Sequence, residues 1–289
     1  MRGMARFGLL IGAGVAVLLV LGLGFGYFVA GAAVAANDRA DAEKVVGQAA
    51  QDNDRIYNLL KNTPTLPSSF NTPDDYAKAK ATTDAYGAEA TQGVGIINTS
   101  LPRLRQASAT LRTQAGAFVV VTQRTALDRE RARVESMITA FTAGGDGLRV
   151  MQDQMVFYSM VFDVEGAMAA IVPVLTKGDF KGALSMYGPI DSKIPQAVTL
   201  SKGPHIPPQL QTLMTGLATF AADLKQFLVA AQANDVSGAQ RLLPALERDA
   251  TALESLDEQG LKAYEDQLFK PYADRYKQGM AQAGFTLKE

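Results

Sequence analysis

The chain has 289 residues, a formal net charge of −1, no cysteine, no tryptophan and a single histidine. Without cysteine it has no disulfide, no thiolate metal site and no cysteine nucleophile, and a lone His205 excludes a multi-histidine metal centre within one chain. The near-balance of charge gives no broad attraction to nucleic acid or anionic lipid.

Residues 7–36, FGLLIGAGVAVLLVLGLGFGYFVAGAAVAA, carry no charge. That is longer than the roughly 20 residues needed to cross a bilayer. Arg2 and Arg6 precede the stretch and no acidic residue occurs before Asp38. The basic flank predicts a cytoplasmic N-terminus, a bilayer contact through residues 7–30 and the bulk of the chain outside the cytoplasm. Ala33-Val34-Ala35 resembles a signal-peptidase site, but the strongly apolar part, Phe7 to Val29, exceeds the about 7–15 residues of a cleaved signal. An uncleaved anchor over 1–36 is the reading taken. Gly8 and Gly12, and Gly22 and Gly26, form small-residue pairs four apart, a spacing that lets membrane helices approach and permits a homo-oligomer.

After the anchor, Asn37 to Lys61 reads as a helix, with Val45, Val46, Ala49, Ile56, Leu59 and Leu60 among its charges. NTPTLPSSFNTP, Asn62 to Pro73, is a loop that ends in a helix start: Thr72 as N-cap, Pro73 at the first helical position, Asp74 and Asp75 in the first turn. The next helix, to about Asn98, shows a small-residue face of Tyr76, Ala79, Thr83, Gly87, Ala90, Val94 and Ile97. Ser100 and Pro102 open a further helix to about Ala143. Its heptad stripes, Leu104/Leu111/Phe118 and Val120/Leu127/Val134/Phe141, are offset from one another. TAGGDG, Thr142 to Gly147, reads as its terminus. Leu148 to Lys177 is the most apolar helix of the remainder, with Val150, Phe157, Val161, Val164, Met168, Ile171 and Leu175 on one face.

The motif x-Asp-apolar-x-Gly-Ala occurs twice, in LTKGDFKGALSMY and QANDVSGAQRLL. Gly178 and Asn234 suit the left-handed residue that ends a helix, and Asp179 and Asp235 suit the N-cap of the next. The motif therefore predicts a tight helical-hairpin turn written twice, with Phe180 and Val236 under the turn and Gly182-Ala183 and Gly238-Ala239 at close helix crossings. SKGPHIPPQ, Ser201 to Gln209, is a loop. Helices follow over Pro208–Ala233, Asp235–Leu256 and Glu258 to about Ala283.

The fold expected is all-α: an N-terminal transmembrane helix over 1–36, a long-helix bundle over 37–177 and a helical-hairpin region over 178–289 that packs with the bundle as one domain. No phosphate-binding loop, dinucleotide fingerprint, nucleophile elbow or metalloprotease motif occurs, so no catalytic residue, metal or cofactor is expected. Asp163 and Glu165 interrupt the apolar helix and are the candidate ligand-binding residues; Arg124, Arg129, Arg131 and Arg133 are their expected ion-pair partners. Met151, Met155 and Met160 read as core, and His205 as an exposed loop residue. The leading expectation is a non-enzymatic membrane-anchored interaction or scaffold protein of the cell envelope with a protein partner there. The alternative is a small-ligand binding or sensing module with an inter-helical pocket.

Overall fold

The computed structural model describes residues 30–62, 70, 72–117, 123–254 and 258–288. Among them every regular element is helical and no strand occurs. In chain order these are α1 (residues 30–49), a 3-10 turn (Ala50–Asp52), α2 (Asn53–Lys61), α3 (Pro73–Gly116), α4 (Arg124–Leu175), α5 (Phe180–Ser185), α6 (Gly188–Ser201), α7 (Pro208–Gln232), α8 (Val236–Glu254) and α9 (Glu258–Gln282). The anchor as far as Val29, with Gly8, Gly12, Gly22 and Gly26, lies outside the described residues. So do most of the 62–73 loop and Phe118 and Val120 of the heptad stripes.

The chain forms two compact units, each drawn from separated stretches. The first takes its described residues from 30–54, 96–142 and 275–288, the second from 55–95 and 143–274. Position 177/178, read from the sequence as the edge of the hairpin region, falls inside the second unit.

In the first unit four helical segments bury residues at steps of three, four or seven. Ala35, Ala42, Val46 and Ala49 come from α1, and Ile97, Leu101, Leu104, Leu111 and Ala115 from α3. Leu127, Val134, Met137 and Phe141 come from α4, and Tyr276, Met280 and Ala283 from the end of the chain. Repeated three-four spacing keeps one stripe of each helix against its neighbours. Polar ties sit beside the stripes. The Tyr276 hydroxyl donates to buried Asn53 Oδ1 at 3.2 Å, Arg133 Nε donates to the Ala283 carbonyl at 2.8 Å, and Ser108 Oγ donates to Glu135 Oε1 at 3.2 Å.

Two helix boundaries differ from the sequence reading. α3 continues through Ser100 and Pro102, because the buried run Ile97, Leu101, Leu104 passes across them without a break. The expected long helix from Leu101 is instead two: α3 ends at Gly116 and α4 begins at Arg124. The offset heptad stripes belong to these separate helices.

TAGGDG does not end a helix. α4 runs through it, with Gly144, Gly145 and Gly147 buried. At Gly147 the reason is close approach: a Cβ there would lie 2.6 Å from Leu60 Cδ2 of α2 and 2.9 Å from Tyr272 Cβ of α9. Gly87 plays a milder version of this role, its missing Cβ lying 3.2 Å from Met155 Cβ.

The remaining core of the second unit is built by α4 and the hairpins. Phe157, Val161, Val164 and Ile171 of α4 join Ala183 of α5, Ile190, Ile194 and Ala197 of α6 and Leu210, Met214, Leu217, Ala221 and Leu228 of α7. Among the described residues α4 is the helix long and apolar enough to cross a membrane by length and composition. Phe157, Val161, Val164 and Ile171 along it are buried, while Val156 and Val172 are each 56% exposed.

The two Asp motifs form the same turn. Gly178 has φ +73° and Asn234 φ +59°. Asp179 N–H donates to the Val174 carbonyl at 3.3 Å and Asp235 N–H to the Ala230 carbonyl at 2.9 Å, the six-to-one bond of a Schellman ending. Asp179 Oδ1 then accepts Gly182 N–H at 2.8 Å, and Asp235 Oδ1 accepts Gly238 N–H at 2.9 Å. A Cβ at either glycine would lie 2.2 Å from the Oδ2 of its own aspartate. The glycines therefore make room for the cap. Phe180 is half-buried and meets Phe227 edge-on at 6.2 Å, but Val236 is 64% exposed and does not tuck under its turn. Thr72 and Asp75 form a reciprocal box at the start of α3: Thr72 N–H donates to Asp75 Oδ2 at 3.0 Å and Asp75 N–H to Thr72 Oγ1 at 3.4 Å.

Two predictions follow from this packing. Asp179→Ala and Asp235→Ala should each lower unfolding stability by about 0.5–2 kcal/mol, measured by urea titration. Gly147→Ala should cost about 1–3 kcal/mol despite alanine's higher helix propensity, because the Tyr272 Cβ it meets lies close to the backbone and cannot swing away. An unchanged urea midpoint for Gly147→Ala would contradict the close-approach account.

Candidate functional site

Asp163 and Glu165 are both half-buried on α4, in the second unit. Asp163 Oδ2 lies 3.1 Å from Lys193 Nζ of α6. Of the arginines expected as partners, Arg131 and Arg133 pair within the first unit. Arg131 pairs with Glu135 at 3.4 Å and Asp128 at 3.7 Å, and Arg133 with Glu130 at 3.5 Å. The charge on Asp163 is therefore compensated, but by a lysine from a hairpin helix.

Glu165 has no hydrogen-bond or ion-pair partner among the described residues. Burial alone pushes its carboxyl up to about 7. Its charge acts on Tyr76 of α3, whose phenol is raised first by burial and then by Glu165 and Asp75. Neither Asp163 nor Glu165 lines the cavity that the fold creates.

That cavity, of about 750 Å³, lies within the second unit between α2, α3, α4 and α9. Tyr57 and Leu60 face it from α2, Thr83 and Tyr86 from α3, Met151, Met155 and Tyr158 from α4, and Leu261, Glu265 and Phe269 from α9. On α4 these positions follow Gly147 at steps of three or four, so one face of the helix carries both the tight contact and the cavity wall. Interhelical bonds hold the walls. Arg55 donates to Gln92 Oε1 at 2.6 Å, Gln152 Nε2 to Thr91 Oγ1 at 2.7 Å, and the Tyr86 hydroxyl to the Asn62 carbonyl past the end of α2.

The cavity's polar centre is a pair that sequence reasoning missed. The Tyr158 hydroxyl donates to Glu265 Oε1 at 2.8 Å. Burial and the adjacent Glu265 push the Tyr158 phenol up, so it stays a proton donor at neutral pH. Glu265 is raised by burial, lowered by the Tyr158 bond and raised again by Asp266. A protonated phenol on a carboxylate is a fixed hydrogen bond. No nucleophile-and-base arrangement accompanies it among the described lining residues. The available signal was Tyr158 lying three and seven residues past the Met155 and Met151 read as core; nothing local marked Glu265.

Met151 and Met155 are buried and Met160 is half-buried; Met151 and Met155 fill the cavity's apolar wall. His205 is fastened rather than free. Its Nδ1 lies 2.8 Å from Asp153 Oδ2, and its carbonyl accepts Nε2 of buried Gln154 at 3.0 Å. The 202–207 loop is thereby tied to α4.

Comparison of the chain with protein-family models, curated proteins and solved structures gives no match.

A pH prediction follows from Glu165. Its folded pKa lies above its ordinary value, so the folded state holds the proton more tightly and stability falls as pH rises from about 4.5 to about 7. Glu165→Gln should raise stability at pH 8 by about 1–2 kcal/mol, with the difference vanishing near pH 4. Urea unfolding of both proteins at the two pH values checks this. Equal stability of the two at pH 8 would mean that the carboxylate is solvated.

Proposed function

We propose that this chain is a non-enzymatic, single-pass membrane-anchored protein of the cell envelope, with its helical bulk outside the cytoplasm and a small-ligand binding module in its second unit. The observation that carries the binding reading is the cavity of about 750 Å³, whose wall combines Leu60, Met151, Met155, Leu261 and Phe269 with the Tyr158–Glu265 pair and with charged residues at the solvent edge. Its size and lining fall in the range of small-molecule sites, which average a few hundred to about 1,000 Å³.

The anchor reading rests on the uncharged 7–36 stretch with Arg2 and Arg6 before it. The buried face of α1 begins at Gly31 and Ala35, which leaves residues 7–30 for the bilayer. Cleavage after Ala35 would remove part of that packed face, which favours an uncleaved anchor. We read α4 as the core helix of its unit, because Asp163, Asp153 and Gln154 along it hold protein partners.

A second reading, a scaffold with a protein partner, draws on α8. None of its described residues is buried, and Val236 and Leu243 are 64% and 43% exposed. Crosslinking from α8 to one envelope protein in intact membranes would favour it over the ligand module.

The full chain should resist extraction by alkaline carbonate, while a chain starting at Gly31 should not. A C-terminal tag should be open to protease added outside the cell, and an N-terminal tag protected. Recovery of the full chain in the carbonate supernatant would sink the anchor. For the module, organic extraction of full chain purified in lipid nanodiscs should yield a bound small molecule that Ala273→Phe, which adds a ring to the cavity wall that Ala273 lines, retains less well.

A further inference from the structure

The second unit's cavity carries charge of two kinds. At its mouth Lys61, Lys262 and Lys270 are exposed beside exposed Asp266 and Asp274, so water and neighbouring opposite charges screen them. Inside, the charged group is Glu265, which is half-buried. Its partner among the described residues is the single Tyr158 hydroxyl at 2.8 Å. An ionised carboxylate offers about four acceptor sites, and one hydroxyl fills one of them. A half-buried carboxylate without a cation is costly to keep ionised, and burial is indeed the leading cause that raises Glu265.

The surrounding wall is aromatic. Tyr57, Tyr86, Tyr158 and Phe269 line the same space. The Tyr57 ring already draws a cation, Lys61 Nζ, to 6.0 Å from its centroid. Aromatic faces around an acidic group form the chemistry that recognises ammonium ions, since the ring faces and the carboxylate are both electronegative. Met151, Met155 and Leu261 supply an apolar surface for the remainder of a ligand.

We propose that this cavity takes a small organic cation, an amine or quaternary ammonium on an apolar body, with Glu265 as its counter-ion and the tyrosine rings around it. The proposal rests on the ligand-binding reading above and names the ligand class. Tyr158 positions the Glu265 carboxylate through their hydrogen bond and leaves its other lone pairs for the cation.

The test is isothermal titration of the full chain in nanodiscs of zwitterionic lipid, with empty nanodiscs as blank. Three probes of similar size differ in head charge: benzyltrimethylammonium, benzyl alcohol and phenylacetate. Benzyltrimethylammonium should bind saturably and at least tenfold more tightly than the other two. Glu265→Gln should weaken it at least tenfold with helical content retained by circular dichroism. Glu265→Asp, which keeps the charge, should retain the preference. Glu165→Gln, outside the cavity, should leave it unchanged. Benzyl alcohol or phenylacetate binding as tightly as the cation would overturn the cation assignment while leaving a ligand module. So would undiminished cation binding by Glu265→Gln. Absence of saturable binding by all three probes would count against both.

Discussion

The approach of Leu60 and Tyr272 to Gly147 is the contact on which the second unit's site depends. With no side chain on α4 at that point, a leucine from α2 and the Cβ of a tyrosine from α9 come to positions that a single methyl group would occupy. Beyond it the same face of α4 carries Met151, Met155 and Tyr158, α2 presents Tyr57, and α9 presents Phe269, Glu265 and Leu261. Tight packing at one level and larger side chains at the next leave a solvent-open cavity between the helices. Interior packing is otherwise dense enough that such space needs a structural cause. Glycine at the tight level and aromatic and thioether side chains beside it supply one.

The same residue type explains what was and was not legible in the sequence. Gly178 and Asn234 were readable because left-handed backbone is a local property and the residue type alone signals it. Asp179 and Asp235 were readable for the same reason: a cap acts on a backbone N–H three residues away. Gly144, Gly145 and Gly147 give the identical local signal of a helix end, yet α4 passes through them. What decides between an ending and a close approach is the neighbour, and Leu60 and Tyr272 are remote in sequence. The break between α3 and α4 had no strong breaker besides Gly116, but it left a trace in the heptad offset between Leu104/Leu111 and Leu127/Val134/Phe141. All five of those residues are fully buried.

Helical class and buried stripes were legible because they follow from periodicity within each segment. The site was not, because it is assembled from four helices whose facing residues share no local pattern. Glu265 resembled any surface acid on a charged helix. Its environment comes from α4 through Tyr158.

Three carboxylates of this unit show how little a residue's own helix says about its role. Asp163 and Glu165 share an apolar stretch of α4, two positions apart, and so project in different directions. Asp163 meets Lys193 and is neutralised within the protein. Glu165 meets no cation among the described residues and is held toward its protonated form by burial, so ligand or cation binding there would first have to repay the cost of ionising it. Glu265 stands between these cases. It has a donor that orients it, no cation among the described residues, and cavity space in front of it. A compensated carboxylate has little left to offer a ligand, and Glu165 does not line this cavity. Only the third combination, an oriented and incompletely satisfied acid on a cavity wall, has both the electrostatic incentive and the room to bind a positive charge.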